Sequence, residues 1–213
     1  MDFTETIKII PAAVIGLTVH EFAHAYTAYR LGDTTAKDEG RVTLNPLKHI
    51  DWLGFFLIIM AGFGWAKPVS FNPDNLKKRH RDEILISIAG PLSNFALALL
   101  FFLIARGLYF TTFFNSTETG LAIINLLGLW GVINLGLFVF NLIPLPPLDG
   151  SHVYLTYLKD INPRLMTHLY TYGTGALLFV ILAENKFHLN ILHLSDMISS
   201  LTSTILRLLA FNG

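Results

Sequence analysis

A chain of 213 residues that is 53% hydrophobic and only 14% charged, with a mean hydropathy of +0.53, is far more apolar than an ordinary soluble domain. Fifteen basic residues balance fifteen acidic ones, so no global field draws nucleic acid, and no nucleic-acid partner is expected. The absence of cysteine excludes disulfides, thiolate metal sites and a cysteine nucleophile, which leaves His, Asp and Glu as metal ligands in what reads as a single-domain integral membrane protein.

The first five residues lack the basic start and small-residue cleavage site of a signal peptide, so the first helix is expected to stay in the mature protein. That helix reads from Thr6 to Leu31 and ends at Gly32-Asp33, with Pro11 either starting it or kinking it. Thr34 to Asp51 is polar and turn-rich, an irregular segment with room for short β-strands near residues 34–50. Trp52 to Trp65 is apolar but short for a span and contains Gly54, Gly62 and Gly64, which fits a re-entrant or interfacial hairpin. Ala66 to Glu83 is basic and broken by Pro68 and Pro73.

A spanning segment follows from Ile84 to Leu108, carrying Ala89-Gly90-Pro91-Leu92-Ser93-Asn94. Leu121 to Leu142 spans again, holds Asn134 and Asn141, and runs into Pro144-Leu145-Pro146-Pro147-Leu148-Asp149-Gly150, which must break the helix. Broken backbone at membrane depth is tolerated only where it packs in protein or lines a wet cavity. Ser151 to Leu158 reads as a short helix, and Leu165–Ala183 and Leu189–Leu209 as the last spans. The expected fold is therefore all-α and polytopic, with about five spanning helices and one re-entrant segment. Gly128, Gly131 and Gly136 suit close helix packing. His49, His80, His168, His188 and His193 sit in loops or at span ends, where solvent or headgroups account for them.

The organising stretch is Val19-His20-Glu21-Phe22-Ala23-His24. A four-residue spacing turns His20 and His24 onto nearly the same helix face, about one turn apart, where they can chelate a metal. Glu21 projects beside them and could take a proton from water activated by that metal. Ionisable residues at membrane depth are costly and tend to mark function. A metal needs a third protein ligand. Asp149, at the broken end of a span, is the first candidate, and His152, three residues on, is its rival.

These segments resemble the site-2 protease family of intramembrane metalloproteases. The resemblance rests on His20-Glu21-Phe22-Ala23-His24, on the Gly90-Pro91 helix and on Asn141-Leu142-Ile143-Pro144-Leu145-Pro146-Pro147-Leu148-Asp149-Gly150, and it covers residues 7–158. Gly40 to Pro46 and Gly64 to Val69 further resemble the compact bacterial and archaeal branch, with no room for PDZ or CBS domains. The resemblance implies one Zn2+ held by His20, His24 and Asp149, with Glu21 as general base. It also implies one membrane-embedded domain over residues 1–213, with its core at 7–158 and C-terminal spans at 165–213, in the prokaryotic plasma membrane. The implied reaction is hydrolysis of peptide bonds within or beside transmembrane protein substrates.

Asn94 and Asn141 are candidate donors to the oxyanion or positioners of substrate; cross-helix bonding is the competing reading for both. With the first helix crossing outward to inward, one side receives 11 of the 15 basic residues, including the Lys77-Lys78-Arg79-His80-Arg81 run that suits anionic lipid. That bias makes this side cytosolic and puts the site nearer to it. A zinc transporter or a non-catalytic helix-binding relative are the alternatives, and iron the alternative metal. Clustering of the ligands at one depth argues against transport, and the intact Glu21 against a pure binder.

Overall fold

The computed structural model describes residues 3–61, 64–187 and 190–209. Four helices are long and apolar enough to cross a membrane: α1 (Phe3–Leu31), α4 (Arg79–Tyr109), α6 (Glu118–Asn141) and α8 (Pro163–Phe187). The intervening α2 (Thr35–Asp38), α3 (Trp52–Ala61), α5 (Thr112–Ser116) and α7 (His152–Ile161) are short. α9 (Leu194–Leu208) closes the described chain.

Among the described residues four helices meet this length, where about five spans were expected. α9 has 15 residues, about 22 Å at 1.5 Å per residue, short of the ~30 Å hydrocarbon core. It packs instead on α4 and α6, where Ile205 joins Ala98, Phe102 and Leu135 in a buried cluster. Leu189, where that expected span began, lies outside the described residues, as do Gly62 and His188.

α1 runs unbroken through Pro11 and stops where Gly32 adopts a φ of 114°, a value an L side chain resists. α4 packs against both α1 and α6 and forms the centre of the bundle. The glycines of α6 act unequally. A Cβ on Gly131 would come within 2.6–2.8 Å of the Phe102 ring, whereas Gly128 faces open space and Gly136 only ordinary contact.

No strand forms among the described residues, so the room for strands near residues 34–50 is taken by α2 and a 3-10 turn at Pro46–Lys48. A single antiparallel bridge joins Ile50 to Ala66. The reason lies in Arg41, a buried side chain whose guanidinium donates to the carbonyls of Lys48 (2.6 Å) and Lys67 (2.5 Å). Those carbonyls are satisfied by a side chain and need no extended partner. α3 is ten residues long, and Gly64 and Trp65 lie back against its start: a Cβ on Gly54 would collide with the Trp65 backbone and one on Gly64 with the Gly54 backbone. Trp52, Trp65 and Tyr109 are exposed, as interfacial residues should be.

Candidate metal centre and active site

α1 carries His20, Glu21 and His24 on its inward face, all three buried. Asp149 reaches them from the turn that follows α6. α6 ends at Asn141, the chain turns through its prolines, and residues 149–151 form a 3-10 turn before α7. Gly150 makes this possible: a Cβ there would meet the Leu142 backbone and lie 2.8 Å from the Ile143 carbonyl oxygen. The result is a tight cluster. Asp149 Oδ2 lies 3.0 Å from His20 Nε2 and 3.4 Å from His24 Nε2, and the two Nε2 atoms are 3.0 Å apart.

The protonation of both rings follows from their other nitrogens. His24 Nδ1 lies 2.7 Å from the Ile86 carbonyl, which can only accept, so Nδ1 carries the proton and Nε2 a lone pair. For His20 the logic runs through Asn94. The Asn94 amide nitrogen donates to the Gly16 carbonyl (3.0 Å) and to Asn134 Oδ1 (3.2 Å), which fixes its carboxamide orientation. Its oxygen therefore accepts from His20 Nδ1 at 2.7 Å, and His20 Nε2 is also a lone pair.

In the neutral rings, then, three lone pairs converge with no hydrogen between them. Asp149 Oδ2 is buried and has no hydrogen-bond donor. Such an arrangement is repulsive unless a shared proton or a metal cation sits among the three atoms, which all lie within 4.8 Å of one another. Two imidazoles whose Nδ1–H groups are anchored by a carbonyl and a carboxamide, plus a carboxylate, are what a zinc-type site demands. The residues fit the metal.

Gly90 sets how closely α4 approaches the histidine pair. A Cβ there would run into His24 Nε2 and stand 2.7 Å from His20 Cε1. Glu21 is held from another direction, by the Val69 amide, which donates to Oε2 at 3.0 Å.

A family model described as Peptidase family M50 matches residues 9–182. The chain belongs to that family. "Putative zinc metalloprotease YwhC" of Bacillus subtilis (strain 168) is 43% identical over 171 residues, 78% of this chain and 75% of that protein. "Putative zinc metalloprotease Rip2" of Mycobacterium tuberculosis (strain H37Rv) is 29% identical over 182 residues, 83% of this chain and 67% of that one. A similarly named protein of Methanocaldococcus jannaschii is 33% identical over 157 residues, 71% of this chain and 72% of its own. No solved structure matches the chain. The M50 match takes in every residue of the cluster and ends within α8.

The structure brings His20, His24 and Asp149 together and leaves His152 out of the trio. Asn94 lies in the network, but both its N–H groups are committed to Gly16 and Asn134, so none is free for an oxyanion. Asn141 donates to the Leu137 carbonyl of its own helix at 3.0 Å. His49 departs from its expected solvated placement: it is buried, with Nε2 2.8 Å from the Thr43 carbonyl. His80 pairs with Asp160 at 2.9 Å.

Three contributors escaped the sequence reading. The Val69 amide and the Ile86 carbonyl are backbone groups, which leave no side-chain signature. Asp33 did leave one, as a carboxylate at the end of a span. Fully buried, it accepts from Thr35 N (3.2 Å) and Oγ1 (2.7 Å), from the Asn72 amide (2.9 Å) and from the Asn75 side chain (2.7 Å). It ties the end of α1 to the loop that follows Val69.

Proposed function

We propose that this integral membrane protein is a zinc endopeptidase that hydrolyses peptide bonds within or next to the transmembrane segments of membrane proteins. The observation that carries the reading is the convergence of His20 Nε2, His24 Nε2 and Asp149 Oδ2 within 4.8 Å of one another, with a carboxylate on the same helix turn. His20, His24 and Asp149 are its ligands and Glu21 its general base. What zinc supplies in such a seat is Lewis acidity, which brings the pKa of water towards ~7 and polarises the scissile carbonyl.

The protein's own groups do the rest. The Val69 amide occupies Glu21 Oε2 and leaves Oε1 to accept the proton of the attacking water and pass it to the leaving amine. Asn94 positions His20 and does not contact the reacting carbonyl. We assign Asn141 no catalytic part. Residues 1–213 make one domain, its core at 7–158, in a prokaryotic plasma membrane.

The site lies nearer the cytosol. With α1, α4, α6 and α8 as the crossings, the segments between α1 and α4 and between α6 and α8 lie on one side, and with the helix ends beside them they hold 11 of the 15 basic residues. Substrates are transmembrane helices cut on that side where they can unwind, since helical carbonyls are already bonded and shielded.

The test is Glu21→Gln, assayed on a membrane-embedded helical reporter beside a zinc measurement. Zinc should stay while cleavage stops. Wild-type turnover by the variant would remove Glu21 from the role of base.

A further inference from the structure

A cavity of about 300 Å3 opens between the start of α4, α7, α8 and the turn at Phe71–Pro73. Three of the segments that wall it each reach the candidate active site two or three residues away. Phe71 follows Val69, whose amide holds Glu21. Glu83 precedes Ile86, whose carbonyl holds His24, and on a helix these two positions share a face about one turn apart. His152 follows Asp149 and meets Tyr170 of α8 edge-on, with ring centroids 6.4 Å apart. Three walls of the cavity are thus set by chain segments that also hold residues of the candidate active site.

Most of its wall is apolar: Phe71, Leu155, Met166 and the ring of Tyr170 line it, together with His152, Thr156 and Lys159. The buried carboxylate in its wall, Glu83, is engaged at both oxygens, by Arg79 Nε at 3.3 Å and by Thr156 Oγ1 at 2.8 Å. No free anion therefore faces the space. The volume sits at the low end of the roughly 300–1,000 Å3 of ligand pockets, enough for one bulky side chain.

We propose that this cavity is the subsite for a substrate residue flanking the scissile bond, and that it selects a large apolar or aromatic side chain. The inference rests on the proteolytic reading above. A chain extended across the metal centre places the side chains flanking the cut within one residue's reach of it, and here the space beside that centre is mostly apolar and wide.

The test uses transmembrane reporters in which each residue flanking the mapped cut is varied among Ala, Leu and Phe. Three zinc-loaded proteins are compared: wild type, Met166→Trp, which narrows the cavity, and Met166→Ala, which widens it. At one flank, wild type should favour Phe over Ala by about tenfold or more in kcat/KM, the scale on which hydrophobic pockets discriminate. Met166→Trp should reverse that preference and Met166→Ala keep or extend it. Zinc content reports whether each variant has kept its fold. The same flank preference in all three proteins would overturn the subsite while leaving the protease reading standing. An equal change for every reporter would also overturn it and mark the cavity as a lipid seat. No cleavage of any reporter by zinc-loaded wild type would overturn the protease reading itself.

Discussion

The carboxamide oxygen of Asn94 lies 2.7 Å from His20 Nδ1, and this one contact decides which nitrogen of the ring faces Asp149. The contact is itself fixed from behind, because the Asn94 nitrogen is held by Gly16 of α1 and Asn134 of α6. Asn134 in turn donates to the Trp130 carbonyl at 2.9 Å. One polar chain therefore links the three core helices and ends on His20.

The first prediction follows directly. Asn94→Ala frees the His20 ring to rotate or to move its proton to Nε2, so zinc affinity should fall about 10–100-fold, the usual effect of losing such a support. Competitive zinc titration of the purified protein measures it. Wild-type affinity in the variant would mean that packing alone orients the ring.

A second prediction separates two glycines. Gly90→Ala pushes a methyl into the His24 and His20 rings, whereas Gly128→Ala points into open space. The first should lose most bound zinc and cost about 1–3 kcal/mol of stability through overpacking. The second should be neutral in both, read by metal content and thermal melting.

The third concerns the ligand set. Asp149→Ala should lose zinc and cleavage together, while His152→Ala should keep most of its zinc, since His152 lies outside the trio. The opposite pattern would transfer the ligand role to His152.

The fourth concerns Asp33 and pH. Burial pushes the Asp33 carboxyl up, but hydrogen bonds from Asn75, Thr35 and Asn72 outweigh that and hold its pKa below the ordinary carboxylate value. A depressed pKa contributes stability that is present above the unfolded value of about 3.9 and is lost as pH falls through the folded one. Asp33→Asn turns an amide towards the Asn72 N–H, two donors face to face, at a cost of about 1–3 kcal/mol. The melting-temperature gap between wild type and variant should be constant near neutrality and close only below about pH 4. Because the loop freed is the one that carries Val69, cleavage should fall while zinc is retained.

Much of this was legible in the chain. The spacing of His20 and His24 on an apolar helix announces a metal, and the prolines before Asp149 announce a ligand at the end of a span. What stayed hidden was carried by backbone: the Val69 amide and Ile86 carbonyl have no residue-type signature. Asn94 was visible as a buried polar residue, but its role depends on where three other groups point, which only packing decides. Among the described residues the last expected span is represented by α9, whose Ile205 packs into the cluster of Ala98, Phe102 and Leu135, a contact that periodicity alone does not reveal. The strand expected near Arg41 gave way to a side chain that satisfies the same carbonyls.

Asp149 stands 125 residues beyond His24, and between them lie the whole of α4 and of α6. Bringing such distant points together in a loose chain costs on the order of 4 kcal/mol in loop entropy alone, before any helix is aligned. An ion bridging α1 to the corner after α6 therefore cannot find its full coordination in a half-inserted chain. With His20, His24 and Asp149 as its ligands, a metal would find full coordination only once α1 and the corner after α6 had met, so metal binding would report the assembled bundle.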